Sequence, residues 1–519
     1  MNPFAVRVMI LLLVLGLAAL AFAPALDAGF HVEDFSYLAL MRHLESPWPL
    51  LVDNVFFVYY YRATGMLFWW LSVQLAGTDA WWHNLFNLGL HALNAALVGA
   101  LAMRLAREPV AGLVAGAAFA CLPAAASTAM WMSDRYDPLA LLFGLLALLA
   151  FERAMEGSRR AIVWTGLWLL LAITSKEVAY AIAGLMLLRV LWRAWEQRLW
   201  NPWLVLAVIA PVGIALLMRV LTVQQLESAL SVTDLAGGAV AGTVAWWQRL
   251  PAAIFGFATP TAWAVGLLVA VAVVSLLAIA SGALARRDDV VKLAITGGFL
   301  VLAPSILQWP VTSLVLPHDG AVTHLVNLRF FHLAMAGVAL LLAAGWLALG
   351  LRTARIVFGI ALAALYVVWF GQTRDNARRW ANEQGAQTPV YLALGRDLGA
   401  LAFPRGCRIA LDPAHLPSAI HPHIDTTVKA GVPRGAPILG CSVTAGRHTF
   451  VTLVEGSVCS PADWPGTSTK TYSGTPGFQR VGDLCAISFD RADDGSVPAA
   501  RLRFGVDAHG RIVPMHDAP

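Results

Sequence analysis

Residues 7–35 read RVMILLLVLGLAALAFAPALDAGFHVEDF, an apolar stretch over 7–25 followed by an acidic pair, Glu33 and Asp34. A helix needs about 20 apolar residues to cross a hydrocarbon core about 30 Å thick, so this stretch predicts a membrane span. Ten more stretches share this pattern: 83–104, 109–128, 137–152, 161–175, 178–192, 203–221, 261–283, 291–309, 330–350 and 354–371. We therefore predict an all-α polytopic membrane protein with about eleven transmembrane helices.

The composition supports a membrane protein with a water-exposed tail. The 519 residues are 59% hydrophobic and 13% charged, with a mean hydropathy of +0.67. A soluble domain carries about 25% charged residues, so this composition excludes a soluble enzyme and a disordered chain. The net charge of +5 is too small a signal to indicate nucleic-acid binding. Residues 1–371 hold 39 charged residues and residues 372–519 hold 28, so the shorter segment is about twice as rich in charge.

The chain divides into three predicted parts. Residues 1–371 form the transmembrane domain, which includes a long first outside loop at 26–82. Residues 372–403 predict a helical connector, and residues 404–519 predict a small soluble domain that is α/β or mostly β. Apolar and β-branched runs between Gly/Pro turns predict its strands at 407–411, 438–443, 449–455, 480–489 and 502–506.

Four of the five cysteines lie in the tail, and none forms a CxxC pair, so a zinc site is not indicated. An even number of cysteines in the soluble part of a membrane protein predicts two disulfides and an oxidising compartment. Three pairings remain open. The disulfide candidates are Cys407, Cys441, Cys459 and Cys485, whereas Cys121 lies in an apolar run and is expected to be a free thiol.

The distribution of basic residues predicts the orientation of the spans. With the N-terminus in the cytoplasm, the inside loops hold fourteen Lys and Arg residues and the outside loops hold six. Cytoplasmic loops of membrane proteins carry an excess of basic residues, so this orientation is favoured. It places the four tail cysteines outside, where disulfides form. If the first span were a cleaved signal peptide, the topology downstream would be unchanged.

Ionisable residues cluster at the predicted outer face. They are Glu33 and Asp34 after the first span, Asp134 and Arg135 after the third, Lys176 and Glu177 after the fifth, and Arg329 and His332 before the tenth. Basic residues on this side oppose the orientation rule, which points to function. The alternatives are snorkelling side chains, a local ion pair between Lys176 and Glu177, and acidic capping of a loop helix that starts near Phe35.

This cluster suits a transfer from an anionic lipid donor. A carboxylate at an apolar boundary is harder to ionise than one in water, which suits a general base. Guanidinium and ammonium groups bind phosphate and stabilise the charge that grows on a departing phosphate. Arg135, Lys176 and Arg329 are the candidates for this role.

Six short motifs occur in a fixed order along the chain. They are HVEDF at 31–35, YRAT at 61–64, Asn87 with His91 on one helix face, SDRYD at 133–137, SKE at 175–177 and NLRFFHL at 327–333. Over about residues 20–400 the set resembles the polytopic GT-C glycosyltransferases, particularly the branch of TMTC-type protein O-mannosyltransferases and their bacterial relatives. The chain departs from that pattern in its Glu-Asp pair, in the missing proline after Arg62 and in the absence of tetratricopeptide repeats.

The resemblance implies a glycosyltransferase that moves a sugar from a polyprenyl-phosphate-linked donor to an acceptor on the outer face of a bacterial inner membrane. It implies Asp34 as the general base, with Glu33 in a supporting or metal-binding role, because the motif keeps Asp at the second position. Arg135, Lys176 and Arg329 are the predicted ligands of the donor phosphate. The residues with predicted supporting roles are Asp134, Glu177, His91 and Asn87.

The implied partners are the lipid-linked donor and membrane lipid, with no nucleic acid, and some branches of the family use a divalent metal ion. The acceptor (glycan, lipid or protein) stays open. Two other functions compete. A transporter or flippase of lipid-linked sugars favours internal repeats and polar groups near the bilayer midplane. A membrane receptor or anchor for the tail does not need eleven spans with charged outer ends.

The orientation yields a direct prediction. Single cysteines introduced within residues 404–519 are expected to react with a membrane-impermeant maleimide in intact cells or right-side-out vesicles. Cysteines placed near Arg104 or Arg355 are expected to react only after permeabilisation. Labelling of the tail from the cytoplasmic side alone would contradict this topology.

Overall fold

The structure is a computed structural model of the whole chain. It describes residues 2–515 apart from 53–60, 199–200, 223–242, 244–245, 248, 251–252, 255–287, 308–327, 350, 386, 402–407, 412–423, 446–450, 456–476, 482–483, 489–501 and 507–511. The described chain forms two units, each discontinuous in sequence. The first consists of Met1–Leu26, Asn84–Leu217 and Glu227–Ala381, and the second of Asp27–His83, Met218–Leu226 and Asn382–Pro519.

The first unit is a set of apolar helices. Among the described residues, eight helical segments are long and apolar enough to cross a membrane, and nine if one bent pair counts as a single span. The protein is therefore an integral membrane protein. The helices are Pro3–Phe22, Ala80–Ala106, Pro109–Cys121, Pro123–Met130, Tyr136–Met155, Arg159–Ile173, Tyr180–Gln197, Pro202–Thr222, Asp288–Leu307, His332–Ala348 and Arg352–Gly385.

Ten of the eleven predicted spans coincide with these helices. The predicted span at 261–283 lies outside the described residues. The predicted span at 161–175 corresponds to Arg159–Ile173, whose 15 residues reach only about 22 Å at 1.5 Å per residue. This helix is shorter than a typical hydrocarbon core, so its assignment as a full span rests on the sequence alone.

A proline breaks the predicted span at 109–128. The residue before a proline avoids the helical region, and Leu122 accordingly has φ −59° and ψ 120°. Helix Pro109–Cys121 ends there and helix Pro123–Met130 begins, with a bend of 63° between them. Pro123 supplies no N–H, so carbonyl groups at the end of the first helix lose their helical partners. The side chains that replace those partners belong to the candidate site.

Small residues bring two helices of this unit into backbone contact. A Cβ added to Gly337 would lie 2.5 Å from the carbonyl oxygen of Gly297, and one added to Gly297 would lie 2.8 Å from the carbonyl oxygen of Gly337. Helices Asp288–Leu307 and His332–Ala348 therefore pack through their glycines. Close packing of this kind drives helix association in lipid, where the hydrophobic effect between helices is weak.

The second unit joins the first outside loop to the tail. Its helices are Val32–His43, Pro49–Val52, Ala63–Ala76, Thr388–Gly399 and Ile424–Gly431. Ser36 and Thr426 share a hydrogen bond of 2.7 Å between their hydroxyls, and Arg42 Nη1 donates to the Ala430 carbonyl at 2.6 Å. The loop that we assigned to the transmembrane domain thus packs with the tail.

One buried histidine shows how polar this packing is. Burial lowers the pKa of His43 to about 4, so its imidazole is neutral at neutral pH. Its Nε2 lies 3.0 Å from the Lys429 carbonyl, which can only accept, so Nε2 carries the proton. Lys429 in turn forms an ion pair of 2.9 Å with Asp425, and both side chains are fully buried.

The tail contains two small sheets among the described residues. Strands β1 (Arg408–Leu411), β2 (Ser442–Ala445), β6 (Leu502–Val506) and β7 (Ile512–Met515) form a mixed sheet in the order β2-β1-β6-β7. β1 runs parallel to β2 and β6, and β7 runs antiparallel to β6. Strands β3 (Val451–Glu455), β4 (Gly477–Val481) and β5 (Leu484–Ser488) form an antiparallel sheet in the order β3-β5-β4.

The described residues of the tail contain strands, and four details differ from the prediction. The predicted strand at 480–489 is a hairpin of β4 and β5, because Val481 pairs with Leu484 across only two residues, Gly482 and Asp483. The predicted strand at 438–443 begins as a 3-10 turn at Pro437–Gly440, and β2 starts later. Strand β7 and helix Ile424–Gly431 were missed.

Only some of the cysteines fall within the described residues. Cys441 is disulfide-bonded, and Cys121 is a buried free thiol. Cys407 and Cys459 lie outside the described residues, and only the strand that carries Cys485 is described. The pairing of the four tail cysteines stays a prediction.

Candidate functional site

The site begins at the broken helix of the first unit. Three side chains donate to backbone carbonyls at and after the break. His91 Nε2 lies 3.3 Å from the Ala120 oxygen, the Thr373 hydroxyl donates to the Cys121 oxygen at 2.9 Å, and Asn87 Nδ2 donates to the Trp131 oxygen at 3.3 Å. All three donors are fully buried. In an apolar environment an unpaired carbonyl is costly, so these contacts stabilise the bend.

His91 and Asn87 were predicted to support a catalytic site, and they lie on the same helix, Ala80–Ala106. Asn94, one turn further along, donates through Nδ2 to the Pro138 oxygen at 2.8 Å. The spacing of these residues places them on one helix face. Their contacts support the backbone of the segments around Trp131 and Pro138 from which the charged residues project.

Three charged side chains form a buried cluster on those segments. Lys176 Nζ lies 3.5 Å from Asp134 Oδ1 and forms a closer ion pair with Asp137 Oδ2. The exposed fractions of the side chains are 9% for Lys176, 4% for Asp134 and 2% for Asp137. We call this group the ion triad. A buried cation between two carboxylates offsets their mutual repulsion and their loss of hydration.

The ion triad alters the predicted partners of two residues. The sequence suggested a local pair between Lys176 and Glu177, but the structure pairs Lys176 with two aspartates about forty positions earlier. Asp137 belongs to the SDRYD motif, for which the sequence predicted no role at this position. It is nevertheless the closest partner of Lys176. Glu177 is half-buried in the 3-10 turn Glu177–Ala179. No periodicity in the sequence could have revealed this pairing.

Arg135 follows Asp134 but points to different neighbours. It is fully buried, its Nε donates to the Met132 oxygen at 3.3 Å, and its guanidinium carbon lies 5.3 Å from the centre of the Phe86 ring. These contacts fix the 3-10 turn Met132–Asp134 to helix Ala80–Ala106. The environment is that of a structural cation held by backbone and ring contacts.

Arg329 has a third kind of environment. Its guanidinium carbon lies 4.3 Å from the centre of the Trp131 ring and 4.8 Å from that of Phe330, and the residue is half-buried. Within the described part of the chain it has no hydrogen bond and no ion pair. Lys176 Nζ lies 5.8 Å from the same Phe330 ring. Arg329 is therefore a neighbour of the ion triad.

The acidic pair belongs to the second unit. Asp34 is 1% exposed, and its Oδ2 accepts a hydrogen bond of 2.7 Å from the backbone N–H of His31, which caps helix Val32–His43. Glu33 is exposed. The capping role that we considered for this pair is thus present for Asp34, and the helix starts at Val32, three residues earlier than expected. A carboxylate held in this way has a fixed orientation.

Metal binding was left open by the sequence. Within the described ranges, no group of three or more His, Cys, Asp and Glu side chains is arranged to hold a metal ion. The charged groups described above form an ion triad and an aromatic-flanked arginine instead.

No protein-family model and no curated protein matches the chain. Among solved structures, the chain is similar to ArnT from Cupriavidus metallidurans bound to undecaprenyl phosphate, with 12% identity over 93% of this chain and 98% of that one, and a TM-score of 0.41. It is also similar to the Archaeoglobus fulgidus oligosaccharyltransferase in its apo form, with 10% identity over 95% and 75% of the two chains and a TM-score of 0.46. A third similar structure is AglB of the same organism with an inhibitory peptide and a dolichol-phosphate, with 10% identity over 95% and 75% and a TM-score of 0.40. These likenesses are too distant to define a family or an activity.

The ion triad predicts a specific pattern of stability. Lys176→Met leaves two buried carboxylates without their cation, so we expect it to destabilise the protein by about 3–5 kcal/mol. The measurement is the thermal aggregation temperature and the folded yield in detergent. Lys292→Met, the same change at an exposed lysine, is the matched control and is expected to have little effect.

A combined variant separates charge balance from packing. Adding Asp134→Asn and Asp137→Asn to Lys176→Met removes the unpaired charges, so we expect part of the stability to return. A Lys176→Met protein as stable as the wild type would show that the ion triad does not hold these segments together.

Proposed function

We propose that the protein is a membrane glycosyltransferase of the GT-C type. It transfers a sugar from a polyprenyl-phosphate-linked donor to an acceptor on the outer face of the membrane. The observation that carries this proposal is the environment of Arg329: a half-buried guanidinium flanked by two aromatic rings in the 3-10 turn directly before an apolar helix, with no ion-pair partner among the described residues. The ordered motifs of the sequence support the same function.

Of the three predicted phosphate ligands, Arg329 is the one whose charge is available. Lys176 is committed to Asp134 and Asp137. Arg135 is fully buried against Phe86 and a backbone carbonyl. Aromatic faces attract a guanidinium without neutralising it, so its planar edge keeps its donors for a phosphate. We therefore assign the donor phosphate to Arg329 and a structural role to Lys176.

The proposed reaction is a displacement at the anomeric carbon of the donor sugar. Asp34 takes the proton of the acceptor hydroxyl, and the oxygen forms a bond to the anomeric carbon. The bond between that carbon and the phosphate oxygen breaks, and its electron pair leaves with the polyprenyl phosphate. Arg329 stabilises the charge that develops on the leaving phosphate. Glu33 supports the neighbouring acid, and the sugar and acceptor are not assigned.

The assignment of Arg329 is testable by binding. We expect Arg329→Ala to weaken binding of a polyprenyl phosphate roughly 10-fold or more in purified full-length protein, because a charged hydrogen-bonded pair is lost. Arg329→Lys keeps the charge without the planar fork, so we expect an intermediate affinity. Native mass spectrometry or a fluorescent-lipid titration measures the dissociation constants.

Arg352→Ala is the matched control, since Arg352 is an exposed arginine at the start of helix Arg352–Gly385. It is expected to bind the lipid like the wild type. Equal affinities for the wild type and Arg329→Ala, with intact folding of both, would remove Arg329 from the phosphate site.

The base is testable by turnover. General acid–base catalysis contributes about 10²–10⁴-fold, so we expect Asp34→Asn to lower sugar transfer by that factor and Glu33→Gln to have a smaller effect. The assay measures transfer of labelled sugar from a panel of polyprenyl-phosphate sugars in membranes that contain equal amounts of each variant. Asn also accepts the hydrogen bond from His31, so helix capping is kept while the base is lost. Near-normal transfer by Asp34→Asn would exclude it as the base.

A further inference from the structure

Two contacts join the broken helix to the segment that carries Arg329. Trp131, just after helix Pro123–Met130, lies under the Arg329 guanidinium at 4.3 Å. Three residues earlier, the Thr128 hydroxyl lies 2.8 Å from Nδ1 of His332, which is three residues after Arg329. The two contacts are thus three residues apart on each segment, which is about one helical turn. The sequence analysis placed His332 in the outer-face cluster without a role and did not single out Thr128.

The hydrogen bond between Thr128 and His332 has a defined direction. The Thr128 hydroxyl donates to the Ala125 carbonyl at 3.0 Å, so its oxygen accepts a hydrogen bond from the Nδ1–H of His332, which also bonds to the Ala125 carbonyl. Both side chains are buried, at 0% and 1% exposure. In such surroundings a hydrogen bond is hard to replace with water, so its loss weakens the contact between the two segments.

We propose that the Thr128–His332 hydrogen bond is a latch that positions Arg329 for the donor phosphate. His332 is the first residue of helix His332–Ala348, and Arg329 lies in the 3-10 turn Leu328–Phe331 directly before it. The latch fixes the start of that helix against helix Pro123–Met130, and the turn then holds the guanidinium over Trp131. Thr128 and His332 are positioning residues that act through Arg329. This inference rests on the proposed function.

The first test removes the latch with the least change in shape. Thr128→Val replaces the hydroxyl with a methyl group, and we expect it to raise the dissociation constant for a polyprenyl phosphate roughly 3- to 10-fold, the range of one hydrogen bond. Thr128→Ser keeps the hydroxyl and is expected to bind like the wild type. Thr165→Val is the matched control, because Thr165 is also fully buried and its one hydrogen bond among the described residues is to the Ala161 carbonyl of its own helix.

A double-variant cycle separates positioning from a general structural effect. If Thr128 acts through Arg329, adding Thr128→Val to Arg329→Ala weakens binding no further than Arg329→Ala alone. Additive losses would overturn the latch, because they would show that Thr128 contributes by another route. Unchanged binding by Thr128→Val would overturn it as well.

Two substitutions of His332 test which ring nitrogen matters. His332→Asn places an amide donor near the position of Nδ1 and is expected to keep the bond to Thr128 and most of the lipid affinity. His332→Gln places its amide near Nε2 and is expected to lose both. The opposite order would overturn the latch and assign the role to Nε2, which is buried and has no hydrogen bond among the described residues.

Hydrogen–deuterium exchange of the full-length protein tests the latch without any ligand. We expect Thr128→Val, but not Thr165→Val, to speed exchange in peptides that cover 123–134 and 328–335. If the wild type fails to bind polyprenyl phosphate, the proposed function fails, and the exchange result still decides whether the latch exists. If binding occurs but exchange in both peptides is unchanged by Thr128→Val, the latch is wrong and the proposed function stands.

Discussion

The first unit depends on one constraint: a backbone that bends within an apolar environment must still pair its carbonyl groups. Pro123 bends its helix and leaves carbonyls without helical partners. His91 and Thr373 supply donors to the Ala120 and Cys121 oxygens. Without these donors, the Ala120 and Cys121 carbonyls would lose these hydrogen bonds in an apolar environment. With them, the chain after the bend turns into the short segment that carries the charged residues.

The charged residues then depend on that segment. Asp134 lies in the 3-10 turn after the bend, and Asp137 lies in the first turn of the next helix, so both carboxylates face Lys176 from adjacent elements. Trp131 precedes the turn and provides a face for Arg329. The three features therefore depend on one another. His91 stabilises the bend at Pro123, and the bend leads into the segment that carries the aspartates of the ion triad.

Much of this fold could be predicted because hydropathy and turn chemistry are local properties. Apolar stretches located ten of the eleven predicted spans on described helices, although helix Arg352–Gly385 continues fourteen residues past the predicted span at 354–371. Gly/Pro punctuation located most of the tail strands. Long-range pairing could not be predicted: nothing in the local pattern distinguishes Lys176–Asp137 from Lys176–Glu177. The hairpin at 477–488 was read as one strand because its two-residue turn interrupts the apolar pattern only briefly. Helix Ile424–Gly431 was not predicted because its Thr and Val residues are weak helix formers, and its buried Asp425–Lys429 ion pair is visible only in the folded chain.

The surroundings of Arg329 explain how the proposed phosphate site can stay folded when it is empty. Among the described residues, Arg329 lies over the rings of Trp131 and Phe330 and has no ion-pair partner. Attraction between the guanidinium and the ring faces reduces the cost of holding a half-buried cation. Coulomb attraction grows as the separation shrinks, so a phosphate in contact with the guanidinium would add an attraction between full charges that the rings do not supply. A cation held by aromatic rings is stable alone and still able to bind an anion. The ion triad has no such capacity, because its charges are already in contact.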